Sequence, residues 1–503
     1  MQRVLMLKRN LLYSVGAVIL ILSVSLRCAS VSKTTKVSTK EKQPNIVVIL
    51  VDQWRGQALG YRGKEKVYTP NLDKLASEGL TLTQMVSNNP VCSPARAMLL
   101  TGTYSLKNGV HCNVNSKSAV YGVELPANIV CWSDVLKQQG YSNGYIGKWH
   151  LDAPHKPYIP CKNNEGEVAW NEWTPDDRRH GFDYWYAYGT YDYHERPMYW
   201  DTKASRDGFH YVNQWGPEHE AEKAIDFFMN KGNVRNPSSP FSLVVSINPP
   251  HTPYNTAPAK YHEPYKNIPL DSLLTDANIP PAGTPMGEEY RKNIKDYYAN
   301  ITGVDAQIGR IIQTLKTTGL LDNTIIVFTA DHGNCLGKHN QESKNNIYEE
   351  SISVPLLVYW KGKIKPGIDN DLLIGMPDLY PTLLDLAGYK KNIPSTVDGT
   401  SYASYFLDRK GSKASEQFIL GTIAYDQKMI KKSGFRGVRT TQYKLAYVTK
   451  GSNGAEPHLF DLQADPFELN NIYRQDHPAV KSLAPRLQYW LQKTGDEFVI
   501  PAK

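Results

Sequence analysis

The segment NNPVCSPARAMLLTG (88–102) sets Cys92 directly before Ser93-Pro94 and four residues before Arg96. Proline is tolerated in the first turn of a helix, so Ser93-Pro94 predicts a helix start at this point. Cys92 then sits at the positive end of the helix dipole, where a thiol ionises more readily and anions are favoured. Arg96, one turn on, faces the same place. A cysteine at a helix start is, taken alone, more often a small buried hydrophobe than a reactive group. What the rest of the chain brings to it decides the matter.

Three apolar runs end in polar chemistry. NIVVILVDQW (45–54) stops at Asp52 and Gln53, FSLVVSINPPH (241–251) at a Pro-Pro break before His251, and TIIVFTADHG (324–333) at Asp331 and His332. A weaker fourth run, YSNGYIGKWH (141–150), ends at Lys148 and His150. Runs of this kind suit strands covered on both faces, as in a parallel sheet. Helical patterns lie between them, at TPNLDKLASEGL (69–80) and at DYYANITGVDAQIGRIIQTLKTTGL (296–320), each ending near a glycine. The alternation predicts an α/β fold, a doubly wound and mostly parallel sheet sandwiched by helices. Ligands bind beyond the carboxyl ends of such strands, so all four polar ends are expected at one edge. One aspartate at a strand end is usually a cap or turn residue. Two brought to one edge, beside Gln53 and His332, make a divalent cation site, with oxygen donors favouring Ca2+ or Mg2+.

The 503 residues suggest more than one domain, and 41% hydrophobic with 21% charged residues is a globular composition. FRGVRTTQYKLAYVTKG (435–451) alternates as short strands, HLFDLQADPFELNNI (458–472) reads as a strand, a turn and a closing segment, and PAVKSLAPRLQYWLQKTGD (478–496) reads as a final helix. This predicts a catalytic α/β domain over 44–410 and a smaller C-terminal α+β subdomain over 411–503. The N-terminus, MQRVLMLKRN followed by LLYSVGAVILILSVSL, has the charge and apolar run of an export signal over 1–27, and a polar linker follows over 28–43. The apolar run is short for a membrane anchor. Cys28 in SLRCAS resembles a bacterial lipoprotein cysteine, although Arg27 stands where that pattern has a small residue. The expected location is the bacterial periplasm, or the outer membrane as a lipoprotein. The net charge of +8 falls to about +4 without Arg3, Lys8, Arg9 and Arg27, and no basic run or nucleic-acid motif is present, so no nucleic-acid partner is expected. The six cysteines match no zinc spacing, and pairing among Cys112, Cys131, Cys161 and Cys335 stays open.

Cys-Ser-Pro-Ala-Arg (92–96) followed by Thr101-Gly102 resembles the signature of the type I sulfatases, within the alkaline phosphatase superfamily. The resemblance runs from about residue 44 to the end and has further anchors in ILVDQ, GKWH (147–150), PPHTPY (249–254), TADHG (329–333), KNNIYEE (344–350) and LFDLQADPFELNN. It implies hydrolysis of a sulfate monoester. It further implies that a maturation enzyme converts Cys92 to formylglycine (3-oxoalanine), reading Pro94 and Arg96, and that Asp52, Gln53, Asp331 and His332 with the modified Cys92 hold one Ca2+. Many relatives have Asp at the position of Gln53 and Asn at that of His332. By the same resemblance Lys148 and Lys344 offset the sulfate charge, Arg96 holds the aldehyde hydrate, His251 and Lys344 protonate the leaving oxygen, and His150 takes the proton that lets the carbonyl re-form. Lys338 and His339 fit no anchor.

YWYAYGTYDYHERPMYW (184–200) is rich in tyrosine and tryptophan and reads either as a wall that stacks on sugar rings or as a packed insertion. Asp192, His194 and Arg196 within it are placed to read sugar hydroxyls or a uronic acid. A sulfated glycan of glycosaminoglycan or mucin type is the expected substrate. The alternatives are a phosphonate monoester or phosphodiester hydrolase with the same site, and a catalytically silent glycan-binding envelope protein.

Overall fold

The computed structural model of the chain describes residues 42–450 and 454–500. The expected export segment and Cys28 lie outside the described residues. In chain order the strands of the larger part are β1 (Asn45–Val51), β2 (Leu80–Leu82), β3 (Met85–Val86), β4 (Ser142–Lys148), β5 (Tyr184–Tyr188), β6 (Met198–Asp201), β7 (His210–Tyr211), β8 (Phe241–Ile247), β9 (Thr324–Ala330), β10 (Leu356–Tyr359), β11 (Gly367–Asp369) and β12 (Ile374–Gly375). Ten of them form one sheet in the order β11-β2-β10-β9-β1-β8-β4-β5-β6-β7, while β3 pairs with β12.

The four runs singled out in the sequence are the centre of this sheet. β9, β1, β8 and β4 are neighbours, all parallel, and β5 continues the parallel set. Every residue of β1, β8 and β9 is buried, as the β-branched runs demand of strands with both faces covered. The register positions the chemistry. Val51 lies level with Ile247 on one side and Ala330 on the other, so Asp52, Asn248 and Asp331 leave the sheet side by side. Gly147 lies level with Ser246, which brings Lys148 level with Ile247, one residue before that row.

The helices of nine residues or more are α1 (Pro70–Glu78), α2 (Cys92–Thr101), α3 (Gly216–Phe228), α4 (Pro285–Thr317), α5 (Met376–Leu386) and α6 (Pro478–Thr494). α1 and α3 both pack on α4, and α2 packs on α5. α4 starts eleven residues before the helical pattern read from 296, because Thr284 caps it, its side chain accepting from the Gly287 amide, with Pro285 in the first turn. The expected helix at 69–80 is α1, and Cys92 opens α2 as Ser93-Pro94 predicted.

The C-terminal strands β13 (Gln417–Gly421), β14 (Phe435–Arg439), β15 (Tyr443–Thr449) and β16 (Ala455–Asp461) form a separate antiparallel sheet in chain order, with α6 packed on β14 and β15. Phe418, Leu420, Val438 and Leu445 join the same buried apolar cluster as β1, β8 and β9. The two sheets are thus distinct while their core is shared. The five described cysteines, Cys92, Cys112, Cys131, Cys161 and Cys335, are buried free thiols, so the pairing left open in the sequence does not occur among them. No described helix is long and apolar enough to cross a membrane.

The row that carries Lys148 depends on a glycine. Gly147 has φ +93°, and a Cβ there would meet the Ser246 carbonyl oxygen at 2.0 Å. Gly147→Ala is therefore expected to cost about 3 kcal/mol, from left-handed strain plus the displaced strand. Chemical denaturation of the two proteins measures it, and an unchanged midpoint would mean that β4 and β8 do not approach this closely.

Candidate active site

Position 92 is where the strand ends meet. From the Cys92 sulfur, His332 Nε2 and Lys344 Nζ lie at 3.2 Å, Asp52 Oδ1 at 3.7 Å and Lys148 Nζ at 3.9 Å. Ligand atoms of Asp52, Cys92, Asp331 and His332 all lie within 4.8 Å of one another, and all four residues are buried.

Arg96 holds the carboxylates. Its Nε donates to Asp331 Oδ2 at 2.9 Å and its Nη2 to Asp52 Oδ2 at 3.1 Å. Its Nη1 donates to the Lys148 carbonyl at 2.6 Å and to Ser246 Oγ at 2.7 Å. Those four bonds leave one of the five guanidinium N–H groups for anything at position 92. Lys148 adds a second cation, with Nζ 2.7 Å from Asp52 Oδ2 and donating to Asn248 Oδ1 at 3.0 Å.

The charges shift the titration of each group. Burial would raise the Asp52 carboxyl, but Lys148, His251 and Lys344 outweigh it and hold the group well below the usual carboxylate range. Burial and the nearby Asp52 charge push Asp331 up to about 6 against His332 and Arg96. His332 rises to about 9, since Asp331, the Cys92 sulfur and the Asp52 hydrogen bond overcome its burial. Burial and Asp52 would raise the Cys92 thiol, yet Lys148, Lys344 and His332 bring it well below an ordinary thiol. Asp52 and the Cys92 sulfur are thus pushed toward their anionic forms, while Asp331 and His332 hold their protons more firmly than usual.

The His332 ring has the orientation of a metal ligand. Its Nδ1 lies 2.9 Å from the Gly333 carbonyl and so carries the proton, leaving Nε2 toward Asp52 Oδ1 at 3.3 Å and Asp331 Oδ1 at 3.5 Å. Two carboxylates, this imidazole and an atom at position 92 are a donor set that fits a divalent metal. Gln53 sits at the rim, in left-handed backbone with φ 67°. Its Oε1 accepts from Lys344 Nζ at 3.1 Å and its Nε2 donates to Tyr254 Oη at 3.1 Å.

Two histidines flank the cluster, and their pKa values move in opposite directions. His150 donates Nε2–H to the Val114 carbonyl at 3.0 Å, while its buried Nδ1 has no hydrogen-bond partner. Burial lowers its pKa, so the ring is a neutral base facing position 92. His251 moves the other way. Burial, Lys344 and Lys148 oppose its charge, but Asp52 and Asp192 prevail and raise it.

Lys344 lies outside the central sheet and is held by the C-terminal subdomain. Asn345 Nδ2 donates to the Thr422 carbonyl at 3.3 Å, and Glu349 pairs with Arg439 at 2.9 Å and Lys444 at 3.1 Å. Lys338 and His339 belong elsewhere, to a buried network with Glu65, Asp276 and Glu350. Asn248 and Ser246 were not singled out in the sequence. The signal was present, because Asn248 follows a buried run just as Asp52 does. The aromatic insertion forms β5 and β6, and Trp185, Tyr186, Tyr188, Tyr191, Tyr199 and Trp200 are buried. It is mainly core, with Tyr193 the large exposed ring.

The sulfatase family profile matches residues 44–389, and that of the N-sulphoglucosamine sulphohydrolase C-terminal region matches 337–496. The chain belongs to the sulfatase family. It is a sulfuric ester hydrolase. An endo-4-O-sulfatase of Bacteroides thetaiotaomicron is 37% identical to this sulfatase over 87% of this chain and 89% of its own length. An ulvan-active sulfatase of Formosa agariphila is 34% identical over 94% and 86%. The crystal structure of a candidate sulfatase of Bacteroides fragilis, yidJ, superposes with a TM-score of 0.86 at 49% identity, covering 92% of this chain and 98% of that one.

A divalent cation bound by this sulfatase is expected to raise its melting temperature in a concentration-dependent way, by about 2.7 kcal/mol of stability at a hundred times its Kd. Thermal titrations with Ca2+ and with Mg2+ read this without any turnover. Asp331→Asn should abolish the dependence, and a wild-type melting temperature indifferent to both cations would refute a metal at the cluster.

Proposed function

We propose that this sulfatase removes sulfate from a carbohydrate, with Cys92 converted to formylglycine and Ca2+ held by Asp52, Asp331, His332 and the modified position 92, Gln53 standing beside them. The observation that carries the reading is the pair of lysines, Lys148 and Lys344, on the Cys92 sulfur opposite two buried carboxylates. An anion approaching position 92 meets both. Oxygen at that position, in place of sulfur, makes the donor set one of hard atoms with an imidazole, which suits Ca2+. The sugar assignment is supported by the endo-4-O- and ulvan-active relatives.

When present, the hydrated aldehyde supplies an oxygen nucleophile and a bond that can reopen to release sulfate, while the cation offsets negative charge. The chain's own groups do the rest. Lys148 and Lys344 bind the sulfate oxygens and turn the sulfur toward position 92. Arg96 keeps Asp52 and Asp331 in place and has one N–H left for the hydrate. His251, its pKa raised, offers a proton to the leaving oxygen, with Lys344 beside it. His150, neutral and free at Nδ1, takes the proton from the oxygen at position 92. A plain thiol has no oxygen to give up and cannot complete that last step. Cys92, Pro94 and Arg96 are buried, so an enzyme that reads them acts on the chain before it folds. We also propose export, to the periplasm or the outer membrane, from the segment around MQRVLMLKRN.

Mass spectrometry of the peptide 88–102 from the native host is expected to give a mass about 18 Da below the cysteine form, the difference between a thiol and an aldehyde. Native protein carrying only cysteine would end the formylglycine reading. On matured protein, aryl sulfates should turn over faster than aryl phosphodiesters, and the reverse order would reassign the site to phosphoryl transfer.

A further inference from the structure

His251 is turned by what holds its Nδ1. That atom lies 2.8 Å from the Thr252 carbonyl oxygen and 3.3 Å from Asp192 Oδ1. Both neighbours are acceptors, so Nδ1 keeps its proton in either charge state and Nε2 is the nitrogen left for the substrate. Asp192 is itself fixed. Its Oδ2 accepts from Asn163 Nδ2 at 2.8 Å, its Oδ1 accepts from Asn248 Nδ2 at 3.1 Å, and its amide donates to Asn163 Oδ1 at 3.1 Å. Asn248 in turn accepts from Lys148 Nζ, so one hydrogen-bonded chain joins the anion-binding lysine to the histidine.

The surroundings need this carboxylate. Lys344 and Lys148 both oppose a charge on His251, and Asp52 and Asp192 favour it. His194 adds none, because burial takes it down to about 4 and its Nε2 contacts the His251 carbonyl at 3.0 Å. Asp192 in turn is held well below the usual carboxylate range, since His251 and Lys148 outweigh its burial.

We propose that Asp192 is the positioning residue of the proton donor, tethering Nδ1–H of His251 so that Nε2–H faces the oxygen that leaves sulfur. The inference rests on the sulfate ester reaction proposed above. As the S–O bond breaks, its electron pair stays on the leaving oxygen, which takes the Nε2 proton and becomes the alcohol. His251 is left neutral with Nδ1–H in place and recovers its second proton from water. The short loop between β5 and β6 thus carries a group that acts on the reaction, where the sequence offered it for reading sugar hydroxyls.

The test is Asp192→Asn in full-length matured protein, which keeps the shape and removes the charge. With 15N-labelled histidine, the His251 signals are identified by their loss in His251→Gln. Wild type should show the Nδ1–H form when neutral, and the variant should titrate about one pH unit lower. The turnover of phenyl sulfate, a poor leaving group, should fall about a hundredfold in kcat, and that of 4-nitrophenyl sulfate less than about tenfold, with KM little changed. Asn163→Ala, which loosens the carboxylate without touching His251, should give the same split at smaller size. An unchanged titration, an equal fall on both esters, or a rise in KM alone would overturn the proposal, the last by assigning the carboxylate to substrate binding. A wild type that cleaves no sulfate ester of any kind would remove the reaction itself, and the titration would still decide what Asp192 does to His251.

Discussion

Arg96 lies between two buried carboxylates that the sheet forces together. Asp52 and Asp331 leave adjacent parallel strands at the same level, and neither reaches water. Two like charges about 4 Å apart repel by about 4 kcal/mol even at an effective dielectric of 20. The guanidinium donates to one oxygen of each, and so turns an unfavourable pair into a fixed ligand set. It comes from the same helix start as Cys92, so the clamp on the carboxylates also sets where position 92 stands. A lysine there would supply the charge but not the forked geometry that spans both partners.

Beyond that clamp the site is an electrostatic gradient. Asp52 and Asp331 concentrate negative charge on the sheet side, and Lys148 and Lys344 set positive charge against them at the Cys92 sulfur. The unmodified Cys92 thiol registers this by losing its proton well below the ordinary range. An anionic group is thereby drawn to position 92 with its counter-charges already in place, which costs no rearrangement when charge develops in a reaction. The two histidines divide the proton traffic by environment. Burial lowers the His150 pKa, while two carboxylates raise that of His251.

Distant parts of the fold serve these few atoms. The C-terminal sheet is separate in hydrogen bonding but holds Lys344 through Thr422 and through Glu349 on Arg439 and Lys444. The insertion after β5 packs most of its rings into the core and leaves Asp192 beside His251. That explains why a segment so rich in tyrosine and tryptophan is a poor guide to sugar stacking. Rings at alternate positions of strands pack against one another, as Tyr186 does on Tyr199 at 4.7 Å between centroids.

The amino-acid sequence alone determined which strands would be central, because unbroken β-branched runs tolerate no exposed face, and which residues would stand at their ends. It also determined the helix start at Cys92, since proline in a first turn is a local rule. It could not show that α4 begins at Pro285, where the single cap at Thr284 outweighs a weak apolar pattern, nor that Asn248 ties Lys148 to Asp192. The opposite shifts of His150 and His251, the commitment of Arg96 to the two carboxylates, and the burial of the aromatic insertion were decided only by tertiary structure. Each depends on which groups from remote segments come within a few ångströms in a medium that water does not screen, and no local pattern carries that information.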